Sequence, residues 1–189
     1  MIFVGAAGSD VLGTDSAAKN HPNVQLLLSP QTDFDQRLVL RRDGHIYQPW
    51  VASITFREDW PWFFDATLDN ADDFPGTFDS RMDFFGVALH EIGHALGIGG
   101  NPAMGALLQT LGNGEDRYQG FMGQEASCIN GGQNGYTPVK MSGGVHTAQE
   151  VRSNGNPPVM GLVVEAPRRQ ITDLDLAMLR DIGYKTTSP

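Results

Sequence analysis

The chain has 189 residues, 40% of them hydrophobic, with a formal charge of −9 and one cysteine. That length suits a single domain, residues 1–189, with a real core, and no apolar run is long enough for membrane insertion. The acidic balance without a basic cluster excludes nucleic acid, whose phosphates need Lys and Arg, and Cys128 alone cannot form an internal disulfide.

Met1–Gly5 lacks the basic start and long apolar core of a signal peptide and reads as a first strand. His21, before Pro22, reads as a residue of a polar loop. Asp43-Gly44 is a hairpin-turn dipeptide between the β-prone runs Leu38–Leu40 and Ile46–Tyr47, which makes His45 a turn residue. Val51-Ala52-Ser53-Ile54-Thr55-Phe56 alternates apolar and polar as a half-buried strand does. Trp60, Trp62, Phe63 and Phe64 follow as an aromatic cluster suited to a core. Asp69–Asp73 and Asn113–Asp116 are acidic clusters that offer oxygen donors for calcium but read more readily as solvated turns, since neither has EF-hand spacing.

The most informative stretch is His90-Glu91-Ile92-Gly93-His94. On a helix, residues i and i+4 lie about 40° apart around the axis, so both imidazoles reach one metal ion while Glu91 borders the same face. This is a zinc hydrolase signature. Phe84, Phe85, Ala88, Leu89, Ile92, Ala95 and Leu96 fill one arc of this helix and the histidines the opposite one. The expectation is one buried face and one offered to a metal, with Ser80 or Asp83 as cap and Gly97 as stop.

Asn101-Pro102 then signals a second helix over Ala103–Leu111, ended by Gly112. The Gly/Asn-rich stretch that follows, including Asn130–Gly135, reads as loops. His146 stands in Ser142-Gly143-Gly144-Val145-His146-Thr147. Thr172 and Asp175 approximate a capping box for a last helix with Leu174, Met178 and Leu179 at helical spacing and Gly183 as stop.

The run Phe84–Gly97 resembles the active-site helix of metzincin metallopeptidases, closest to matrixin-like and serralysin-like bacterial enzymes. Pro157-Pro158-Val159-Met160-Gly161 looks like their Met-turn, with Met160 beneath the metal, and Ile171–Tyr184 like their C-terminal helix. The resemblance implies an α+β fold: a twisted mixed β-sheet over an active-site helix (residues 1–97), then a C-terminal part (98–189) with an inserted helix/loop region, Met-turn and final helix. The family helix before the first strand has no counterpart here.

Metzincins place a third histidine three residues after the glycine matched by Gly97, and here that position is Gly100. A catalytic zinc needs three protein ligands and an open position. Leishmanolysin-like members deliver the third histidine after a large insertion, and by that resemblance His146 joins His90 and His94. The alternative is a loop histidine in a site lacking its third ligand. Leu162 stands where serralysins carry a zinc-binding tyrosine.

The function implied is a zinc-dependent endopeptidase with Glu91 as general base, acting as a secreted monomer on peptide or protein substrates. By the same resemblance the strand containing Ser53, Ile54 and Thr55 pairs with an extended substrate by β-augmentation, and residues Met160 to Gln170 shape the pocket beside the metal. Two rival readings stand beside it. One is a catalytically degenerate peptide-binding domain. The other is a gluzincin-type peptidase with Glu115, Glu125, Glu150 or Glu165 as third ligand, although none is followed four residues later by the usual aspartate.

Overall fold

In the computed structural model, the residues described are 2–7, 18–22, 52–65, 67, 81–99, 102–162 and 169–186. Among them the architecture is α+β. Strand β3 (Ala52–Arg57) alternates buried and half-buried positions, as its sequence predicts, and lies between β1 (Ile2–Ala7), parallel to it, and β2 (Ala18–Pro22), antiparallel. The expectation that Ser53, Ile54 and Thr55 offer a free edge to substrate is therefore corrected. Each of these residues pairs on one side with Phe3, Val4 or Gly5 and on the other with His21, Asn20 or Lys19, so the ladder hydrogen bonds of β3 are already used. His21 likewise sits in a strand instead of a loop. The hairpin at Asp43-Gly44, His45 and the acidic run Asp69–Asp73 lie outside the described residues.

The short parallel pair β4 (Trp62–Phe63) and β5 (Met82–Asp83) leads into helix α1, Phe84–Ala95. Asp83 caps it, accepting a hydrogen bond from Gly86 N at 2.9 Å, and Gly97 follows with φ +114°, the left-handed stop the sequence suggested. Val87 and Ala95 pack against Ala52, Ile54 and Phe56 of the sheet, with Trp62 and Phe84 closing that core edge to face at 5.3 Å between ring centroids. Phe64 lies tilted against Phe84 but is exposed, so the aromatic cluster is only partly core.

The opposite face of α1 is not open. Gly86, Val87, His90, Gly93, His94 and Ala95 are its buried residues, whereas Phe84, Phe85, Ala88, Leu89 and Ile92 are half-buried. A second core, built from Ile98, Met104, Phe121, Val139, Met141, Val159, Met160, Leu174, Met178 and Ile182, lies against the helix through Leu89. The helix is held between two apolar bodies, which a reading of one apolar arc did not anticipate.

Beyond α1 the region expected as one helix is divided. Pro102–Gly105 makes a single turn, α2, and Leu108–Leu111 is strand β6, antiparallel to β7 (Tyr118–Phe121). Leu108 and Leu111 are half-buried while Gln109 and Thr110 are exposed; such a short apolar run is ambiguous in period, and ladder bonds to β7 decide it. The Gly/Asn-rich stretch is similarly not all loop, since Gln124–Gly131 forms helix α3. Strands β8 (Val139–Ser142) and β9 (His146–Thr147) complete a sheet of order β6-β7-β8-β9. The last helix, α4 (Asp173–Asp181), has the expected Thr172/Asp175 capping box, with Leu174 and Met178 buried and Gly183 at φ +108°. No helix among the described residues is long and apolar enough to cross a membrane.

Helix α3 has no side-chain cap of its own, because Gly123 stands at its N-cap. The Asp181 carboxylate at the end of α4 substitutes, accepting from Glu125 N and Ala126 N at 2.9 Å each, and Gly123 leaves it room because a Cβ there would collide with the carboxylate. Asp181→Ala is expected to destabilise the fold by about 2 kcal/mol through two unsatisfied N-terminal amides. Urea unfolding of the two proteins checks this; a difference below about 0.5 kcal/mol contradicts it.

Candidate metal centre

Helix α1 presents His90 and His94 on one side, and their rings meet edge to face with centroids 4.6 Å apart. The sequence separates His146 widely from both, yet β9 brings it to them. Ser142–Val145 closes as a turn, with Val145 N donating to Ser142 O at 3.2 Å and with φ +59° and +70° at Gly143 and Gly144. Positive φ at both central residues is the requirement of a type I′ hairpin turn and is strained for side chains other than Gly, Asn or Asp. Val145 adds a third residue to the loop, so the register is Ser142↔His146 and not the Ser142↔Val145 of a two-residue hairpin. Gly99, at φ +92°, passes beneath: a Cβ on it would stand 2.8 Å from Val145 Cγ1 and 3.1 Å from His94 Nδ1.

His94 Nε2 lies 3.1 Å from both His90 Nε2 and His146 Nε2, and the three donor atoms lie within 4.8 Å of one another. The tautomers of two rings are set by partners that can only accept. His90 Nδ1–H donates to Val159 O at 2.8 Å and His94 Nδ1–H to Ile98 O at 2.6 Å, leaving both Nε2 lone pairs turned toward the cluster. Burial, with His94 and Arg169 nearby, pushes the His90 pKa down to about 4 against the pull of Val159 O; burial, His90 and His94 push His146 to about 4 against the Glu91 carboxylate. These imidazoles are held neutral, the form that binds metal.

The donor set fits zinc. Ligand atoms placed tetrahedrally at about 2.0–2.1 Å from the ion stand about 3.3 Å from one another, close to the 3.1 Å that separates His94 Nε2 from each of the other two. Lone pairs facing each other at that distance repel unless a cation lies between them. Among the described residues this is the only group of three or more metal-ligating side chains. Glu115, Glu125 and Glu150 are not part of it, and Glu165 lies outside the described residues. Glu115 and Asp116 instead border a polar cleft of about 530 Å³ with Arg117, Lys140, Glu150 and Arg152, to which no histidine of the cluster contributes.

Glu91 is half-buried on α1, next to His90 in sequence and within electrostatic reach of His146. Met160 lies beneath the helix, 1% exposed, and a Cβ on Gly93 would collide with its sulfur. The glycine thus permits the contact. Ser53, Ile54 and Thr55 belong to the sheet behind α1, with Ile54 in the core on that side.

Sequence reasoning missed what holds the turn Pro158–Gly161. Asp175, visible only as a capping residue, accepts from Val159 N at 3.1 Å and Met160 N at 3.2 Å as well as from Thr172 N and Oγ1 at 2.8 and 2.7 Å. Burial pushes its carboxyl up while these donors pull it back down. Met160 O accepts from Thr147 N at 2.8 Å, and Thr147 O accepts from Leu162 N at 3.2 Å, so one turn touches His90 and the strand bearing His146. No sequence signal pointed to these backbone contacts.

The matrixin family model matches residues 29–120, just under half of the chain. The match includes His90, Glu91 and His94 and ends before His146 and Met160. It supports a matrixin-like domain. No curated protein matches the chain, and no solved structure does.

With metal removed, the depressed imidazole pKa values predict an acid-labile fold. Well above pH 6.5, His90 and His146 are neutral in both folded and unfolded chains. As pH falls from 6.5 toward 4 the unfolded chain takes up protons the folded chain refuses, so stability is lost across that window. At about 1.4 kcal/mol per pH unit, His90 alone withdraws on the order of 3 kcal/mol. Urea midpoints of chelator-treated protein at pH 7 and pH 4.5 measure the effect, and equal midpoints contradict it.

Proposed function

We propose that the chain is a zinc-dependent endopeptidase, with residues 1–189 acting as one catalytic domain. The observation that supports this reading best is the convergence of three imidazole Nε2 atoms from α1 and β9, with a glutamate adjoining on the same helix. His90, His94 and His146 would hold the ion. When bound, zinc supplies Lewis-acid polarisation of a water molecule and of the scissile carbonyl. Glu91 takes a proton from that water as it attacks and returns it to the amine nitrogen as the peptide C–N bond breaks. Val159 O and Ile98 O keep two ligands in the metal-binding tautomer, and Met160 supports the helix from below without competing as a hard donor.

Since β3 is paired on both sides, an extended peptide that adds to this sheet does so at an outer strand. Matrixin-like peptidases act outside the cell on peptides or proteins, and the proposal extends both properties to this chain. Gly100, at the family position of the third histidine, favours a second reading in which the domain binds peptides without cleaving them.

Glu91→Gln is expected to retain one zinc per chain while lowering kcat by about 10²–10⁴-fold, and His146→Ala to lose zinc while remaining folded. Elemental analysis after dialysis and hydrolysis of a quenched fluorescent peptide library measure both. Wild-type turnover by Glu91→Gln would remove the base assignment, equal zinc in His146→Ala would point to another donor, and zinc binding without any hydrolysis in the wild type would favour the peptide-binding reading.

A further inference from the structure

Arg169 is a buried cation, 8% exposed, that the reaction scheme does not use. Its Nη1 donates to Pro158 O at 3.0 Å, the same carbonyl that closes the turn by accepting from Gly161 N at 3.1 Å. The guanidinium lies against Gly161 so closely that a Cβ there would collide with Nη1. Gly161 has no positive φ. Its backbone therefore asks for no glycine, and the missing side chain serves the arginine.

The turn is thereby gripped from both ends of its peptide dipoles. Asp175 takes the N–H groups of Val159 and Met160, and Arg169 takes the carbonyl of Pro158. Between them lie Val159 O, which orients His90, and Met160 O, which holds Thr147 beside His146. A shift of this turn moves two of the three imidazoles relative to the third.

We propose that Arg169, seated in the space left by Gly161, is a positioning residue of the tri-histidine centre, fixing the carbonyl side of the turn that aligns His90 and His146. This rests on the metal-centre reading above. A planar guanidinium suits the task because it donates in a fixed direction, whereas an ammonium on a flexible stem does not.

The test uses the full chain with Arg169→Met, Arg169→Lys, Gly161→Ala and the double variant Gly161→Ala/Arg169→Met. Zinc affinity is read by competition with a chromophoric chelator, site geometry by the visible absorption of Co²⁺-loaded protein, and folding by far-UV circular dichroism. Arg169→Met and Gly161→Ala are each expected to weaken zinc binding by about 10–100-fold and to change the cobalt bands, with Arg169→Lys intermediate. The double variant should be no weaker than the worse single one, because both changes break the same contact. Unchanged affinity and cobalt bands in the single variants overturn the role, and so do fully additive losses. If Arg169→Met fails to fold, Arg169→Lys and Gly161→Ala decide by the same criteria. If the wild type itself binds neither Zn²⁺ nor Co²⁺, the metal-centre reading falls and this inference with it; metal binding by the wild type with indifference to position 169 removes only the latter.

Discussion

The backbone polar groups of Pro158–Gly161 are bound by groups from four separate parts of the chain, and the histidine cluster depends on that arrangement. Its N–H groups go to Asp175 and to the turn's own carbonyl, while its carbonyls go to Arg169, His90 and Thr147. A buried peptide group left without a partner costs about 1–3 kcal/mol. Displacing this turn would break several such bonds together. The contact of Met160 with Gly93 adds a steric stop, because the helix backbone can settle on the sulfur only where no Cβ intervenes. Helix α1 is thus fixed in height and rotation by a segment far from it in sequence.

Burial sets the charge of the histidine cluster. The same desolvation that makes an imidazolium unfavourable at His90 and His146 keeps their nitrogens available to a cation. Neutral imidazoles so placed hold lone pairs against one another, a repulsion that a cation between them would relieve. Glu91 is left on the flank of this cluster, where its carboxylate sets a negative charge against His146.

The segment from Pro102 to Thr147 brings His146, far from α1 in sequence, to the two histidines of that helix. It builds its own antiparallel sheet, and the last hairpin of that sheet carries His146. Gly143 and Gly144 permit the turn, Val145 completes a three-residue loop, and the register Ser142↔His146 sets which face the imidazole takes. A slip of one residue would turn His146 to the other side of the strand. Gly99 completes the fit by letting the exit of α1 pass under this hairpin without pushing on His94.

Local features were legible from the sequence because they depend on residues near one another in the chain. Among these are the paired histidines one helical turn apart, the Asp83 cap and Gly97 stop of α1, the Thr172/Asp175 capping box and the alternation of β3. The α+β class came from the family resemblance. What depends on long-range pairing was not legible. Whether β3 is an edge or a centre is decided by which strands find it; whether Leu108–Leu111 is helix or strand, by the ladder with β7. The buried histidine face of α1 needed a second core that no periodicity of the helix itself describes. The placing of His90 and His94 on one side of a helix was legible because helical spacing is a local property of the chain. Only the tertiary structure decided that His146 reaches them and that Val159, Ile98, Asp175 and Arg169 hold them there, because backbone carbonyls carry no residue-type signature and buried charges choose partners by proximity.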